Sequence, residues 1–154
     1  MDRGSLGCTA VLAIVSVWVL MGCVPTKNTI GGHSDAELQQ WADEAQDQCL
    51  KRIGRRPQYP FTTDGCTLSP DCTWQTCCVV HDMEYWCGGS AADRLSADAR
   101  LQSCVAEHGG GRHLARLMYW AVRAGGHPLL PVYWRWGYGW SWPHNYSDER
   151  DQEK

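Results

Sequence analysis

Cys77-Cys78-Val79-Val80-His81-Asp82-Met83-Glu84-Tyr85 holds two adjacent cysteines and an adjacent His-Asp pair, with no glycine or proline among them. Nothing breaks a helix from Thr73 to about Cys87, and Gly88-Gly89 stops it. On such a helix His81 and Asp82 point about 100° apart around the axis, to neighbouring but separate places. They cannot bond tightly to each other, so each needs its own partner. Cys77 and Cys78 lie four and three residues before His81, on the same general side of the helix.

Working outward, Ser90 and Asp93 form a capping box that opens a second helix running to about Glu107, before Gly109-Gly110-Gly111. The glycine turn between these two helices is so short that they must lie as antiparallel neighbours. A further helix is predicted from His113 to Ala124. Upstream, Ser34 and Glu37 make another capping box, and Leu38, Trp41, Ala45 and Cys49 share one helical stripe that ends near Gly54. Pro57 and Pro60 forbid continuation, and Tyr59 to Asp71 reads as a loop. No strand-period pattern appears. The fold class is mostly α, a disulfide-stapled helical domain with two antiparallel central helices.

The chain has 154 residues, the length of one domain, and 44% of them are apolar, enough for a packed core. Lys and Arg total 14 against 17 Asp and Glu, so binding to a phosphate backbone has no electrostatic basis and nucleic acid is excluded as a partner. Nine cysteines in so short a chain indicate an oxidised scaffold; Cys-x-x-Cys zinc knuckles are absent. Residues 1–22 read as a signal peptide, with Arg3, an apolar run from Val11 to Leu20 too short to span a bilayer, and small residues after it. Leu20-Met21-Gly22-Cys23 resembles the bacterial lipobox, which makes Cys23 a lipidation site and the protein an exported periplasmic or outer-membrane lipoprotein, or alternatively a secreted one. Residues 23–34 are then a polar linker and 35–127 the helical domain. Without Cys8 and Cys23, seven cysteines remain, and an odd count leaves at least one thiol free or paired between chains. Residues 128–154 form a Trp-rich extension with a charged tail, whose rings suit either cover for the core or a membrane interface.

The chemistry concentrates around His81. Asp82 can face the loop containing Asp64, Gly65 and Cys66, and two carboxylates with backbone carbonyls suit a hard cation such as calcium. Asp71 more simply shapes the turn after Pro70. As a base, His81 needs an acceptor for its other nitrogen. Asp98 falls in the apolar stripe of Arg94, Leu101 and Val105, where an acid must find a partner or raise its pKa. Asp93 is occupied by its capping box, so Asp98 is the choice. One of Cys77 and Cys78 can tie back to Cys66 and the other across to Cys104; Cys49, Cys72 and Cys87 have no assignable partner. The remaining histidines, His33, His108, His113, His127 and His144, and the acids Glu84 and Glu107, are expected in solvent.

Cys78-Val79-Val80-His81-Asp82, with Tyr85 three residues on, resembles the active-site helix of secreted phospholipase A2. Thr63-Asp64-Gly65-Cys66, followed by Pro70-Asp71, looks like the calcium loop of its prokaryotic branch, and Ala97-Asp98 with Cys104 is similar to its acid-bearing helix. The resemblance covers roughly residues 62 to 105. It implies calcium-dependent hydrolysis of the sn-2 ester of glycerophospholipids at a membrane or micelle. His81 would be the general base, Asp98 its orienting acid, and Asp64, Gly65 and Asp82 the Ca2+ ligands, with Tyr85 bonding toward the acid. The loop is poorer in glycine than the family's, and Met83 stands where a cysteine is common. Two other classes fit the same residues: a non-catalytic membrane-binding or envelope-scaffold lipoprotein, and a secreted effector that binds a protein partner through its Trp-rich end.

Overall fold

The first helix, α1 (Asp35–Ile53), starts where the capping box demands. The Ser34 hydroxyl accepts from the Glu37 N–H, and the Glu37 carboxylate accepts from the Ser34 N–H at 2.8 Å. It ends at Gly54, whose φ of 73° lets its N–H reach back to Leu50 O. A computed structural model describes residues 33–67 and 72–147. The signal peptide, Cys23, nearly all of the polar linker, the Pro70-Asp71 turn and the charged tail lie outside them.

The second helix, α2 (Gln75–Cys87), begins two residues later than the breaker-free run predicts. Cys72 to Trp74 form a turn instead, closed by the Gln75 N–H donating to Cys72 O at 3.0 Å. Its buried residues, among them Cys77, Cys78, His81, Tyr85 and Trp86, fall on every side, which marks it as the central helix. Next comes α3 (Ala91–Val105), opened by the Ser90 and Asp93 capping box. Three links fix its register against α2: Cys77 with Cys104, His81 with Asp98, and Tyr85 with Arg94. As one number climbs the other falls, so the two helices run antiparallel.

Ala106–Gly110 hold a kink, with His108 and Gly109 off helical backbone angles, and α4 (Gly111–Gly125) follows it, starting earlier than the predicted His113. Gly109, at φ 100°, takes the kink that a side chain would resist, and the Thr73 hydroxyl donates to His108 O beside it.

Among the described residues three disulfides close the helices together: Cys49–Cys87 joins α1 to α2, Cys66–Cys78 ties the loop to α2, and Cys77–Cys104 ties α2 to α3. Cys72 is oxidised as well, so the leftover thiol expected from the odd count is not there. Cys49 and Cys87, which the sequence leaves without a partner, meet because α1 packs along α2, with Arg52 donating to Glu84 O and Gly88 O.

Part of the segment after α4 covers the core, one of the two roles its composition allowed. Trp136 and Trp140 are buried, and their indoles donate to Gly89 O and Cys87 O at 3.0 and 2.7 Å, satisfying carbonyls where α2 ends. Backbone bonds from Gly137 to Tyr85 O and from Gly139 to Trp86 O hold the segment on the same place. Tyr133 and Trp142 remain exposed. Three expectations of solvent exposure fail: His33 is buried edge-on against Trp41, His144 is part-buried and stacked on Trp140, and Glu84 is part-buried and paired with Arg100. Among the described residues, no helix is long and apolar enough to cross a membrane.

Candidate active site

The site stands where α2, α3, α4 and the loop before α2 meet. His81 is buried, and its Nε2 lies 2.9 Å from Asp98 Oδ1. Asp98 has no exposed surface. The Tyr85 hydroxyl donates to the same Oδ1 at 2.8 Å, and Arg123 of α4 donates to Oδ2 at 2.7 Å. Burial alone would raise the Asp98 pKa; hydrogen bonds from His81 and Arg123 outweigh it and hold the carboxyl below the ordinary aspartate value. An ionised carboxylate only accepts, so Nε2 carries the proton and Nδ1 is the ring nitrogen that can act as a base. The tautomer is thus assigned from the partner.

Tyr85 is pinned from several sides. Arg94 donates to its hydroxyl at 3.1 Å while its other nitrogens reach Tyr146, Val122 O and Arg123 O. Burial, with Asp98 beside it, pushes the phenol far up, so it stays a neutral donor. Gly126 makes room for the ring: a Cβ there would stand 2.4 Å from Tyr85 Cε1.

Asp82 turns the other way, as two adjacent helical positions must. Its Oδ2 accepts from the Thr63 hydroxyl at 2.6 Å, and the same hydroxyl oxygen accepts from the Gly65 N–H at 3.1 Å. Thr67 donates to Asp64 Oδ1 at 2.8 Å. Gly65 has φ 74°, a conformation that glycine adopts without strain. Asp64 and Asp82 border one cavity of about 260 Å³ with Thr63, Thr67 and Tyr138. Burial, then the charges of Asp82 and Asp64, push the Tyr138 phenol well above its ordinary value, and its hydroxyl donates to Thr62 O. The donor chemistry here is oxygen throughout, which fits a hard divalent cation and not a soft one.

A second cavity of about 230 Å³ adjoins the first, sharing Thr67, Asp82 and Trp134. His81 lies in its wall opposite apolar side chains of Leu101, Met118 and Val122. Of the residues read from the sequence, His81, Asp82, Tyr85, Asp64 and Gly65 border these cavities and Asp98 supports His81, while Cys23 lies outside the described residues. Three partners were missed. Arg94 stands one turn before Asp98, a spacing visible in the sequence, whereas nothing local marks Thr63 or Arg123. Cys77, Cys104 and His108 also come together, but both sulfurs are joined in the disulfide and offer no thiolate to a metal.

No family model matches this chain, and no curated protein or solved structure matches it either.

Proposed function

We propose that the protein is a calcium-dependent hydrolase of the sn-2 ester of glycerophospholipids, resembling secreted phospholipase A2. The observation that carries this reading is the 2.9 Å link between His81 Nε2 and buried Asp98, with the ring lining an apolar cavity beside two carboxylates. In this reading His81 Nδ1 takes a proton from an attacking water while Asp98 holds the ring and stabilises the imidazolium that forms. Asp64, Asp82 and the Gly65 carbonyl would hold Ca2+, which when bound supplies a Lewis acid for the phosphate and the developing oxyanion. Leu101, Met118 and Val122 shelter an acyl chain from water.

Exposed Leu117 and Trp120 on α4, with Tyr133 nearby in sequence to the cavity residue Trp134, give the apolar rim that an enzyme working on lipid aggregates needs. The test is fatty-acid release from phospholipid vesicles by the purified mature chain. Activity should require calcium and fall at least ~10²-fold in His81→Ala, the usual contribution of a general base. Release that survives a chelator or the His81→Ala change sinks the mechanism. Vesicle binding without any release favours the non-catalytic membrane-binding lipoprotein.

A further inference from the structure

Asp98 has two oxygens, and they are used differently. Oδ1 receives both His81 and Tyr85, whereas Oδ2 receives Arg123, with Arg94 Nε standing off at 3.9 Å. Arg123 belongs to α4, the helix that no sequence motif connects with the dyad. We propose that Arg123 is a positioning residue for this site: by holding Oδ2 it fixes the carboxylate's rotation, keeps Asp98 ionised, and leaves Oδ1 turned to His81.

The physical grounds are the burial of Asp98 and the geometry around it. A carboxylate with no exposed surface must be matched by donors on both oxygens or it protonates. With Arg123 removed, Oδ2 has only Arg94 to turn to, and Arg94 is already committed to Tyr85, Tyr146 and two carbonyls. Turning toward Arg94 swings Oδ1 off the imidazole; protonating makes Asp98 a donor where an acceptor is needed. Either way the ring loses its brace. The charged and titratable groups facing Asp98 are His81 and Tyr85 from α2, Arg94 from α3 and Arg123 from α4. A guanidinium suits the task because it stays charged when half-buried and donates in a fixed fork.

The kinetic arm of the test rests on the proposed hydrolysis; the spectroscopic arm does not. Arg123→Ala, Arg123→Lys and the unaltered full chain are compared by thermal unfolding, by kcat and KM, and by the ¹³C titration of the Asp98 carboxyl. Arg123→Ala should lower kcat about 10- to 100-fold with KM within about twofold, the pattern of a lost transition-state contact. Added guanidinium ion should restore part of the loss, Arg123→Lys should fall between, and the Asp98 carboxyl should titrate at higher pH. An Asp98 titration unmoved in a folded Arg123→Ala protein overturns the proposal. So does a kcat loss that guanidinium leaves untouched. If the unaltered chain hydrolyses nothing, the hydrolase reading fails, and the carboxyl titration alone decides Arg123.

Discussion

Asp98 shows how a single buried acid can tie the brace of His81 to the stability of the fold. Its carboxyl is held below the ordinary value of 3.8, so the unfolded chain takes up that proton at higher pH than the folded one does. The stabilisation is therefore complete above about pH 4, where the unfolded carboxyl is ionised, and is lost as pH falls through the lower folded value. Thermal unfolding followed from pH 6 to pH 3 should show a steeper loss for the unaltered chain than for Asp98→Asn, which has no carboxyl to titrate. Parallel curves would mean that Asp98 is not ionised in the folded protein. Asp98→Asn should also reduce hydrolysis about 10²- to 10⁴-fold, because an amide can present its NH2 to Nε2 and favour the wrong tautomer.

Helices α2 and α3 carry the dyad, and their register is what made His81, Asp98 and Tyr85 legible in the sequence. A turn of three residues, Gly88 to Ser90, leaves no freedom in how the second helix returns, so residues 81 and 98 must face each other. What the sequence could not show comes from elements that arrive by packing alone. Arg123 is set by how α4 folds back after the kink at His108 and Gly109, Thr63 by the Cys66–Cys78 bond, and the Cys49–Cys87 pair by the packing of α1 along α2. The Trp-rich segment was legible in composition and not in placement, because which indole is buried depends on which carbonyl at the end of α2 it finds. Gly126, which caps α4, packs directly against the Tyr85 ring of α2. A methyl added there stands 2.7 Å from the Tyr85 hydroxyl and 2.8 Å from Val122 O, neither of which can yield easily. Gly126→Ala should destabilise the fold by about 1–3 kcal/mol, the usual cost of overpacking, and should weaken activity through the displaced Tyr85. An unchanged melting temperature would show that the close approach is not maintained in solution.

Across the whole molecule, charge and apolar surface are unevenly shared. The chain carries a net charge of -3, yet α4 bears Arg112, His113, Arg116 and Arg123 with no acidic residue. Leu117 and Trp120 are about two-thirds and three-fifths exposed on that helix, while Met118 and Ala121 line the cavity that His81 borders. Apart from Arg123, which turns to Asp98, the helix presents its cations and large apolar groups outward and the cavity wall inward, the pattern of a basic amphipathic helix suited to a lipid interface. Burying a Trp or Leu side chain is worth roughly 1.5–3 kcal/mol, so losing one should weaken attachment about 10- to 100-fold. Trp120→Ala should then lower both sedimentation with anionic vesicles and vesicle hydrolysis by that order, while hydrolysis of a short-chain, monomeric phospholipid stays within about twofold. The split separates a docking residue from a catalytic one, since a damaged site would lose both substrates alike. Equal losses on the two substrates, or vesicle binding untouched by Trp120→Ala and Leu117→Ala together, would place the lipid-facing surface elsewhere on the molecule.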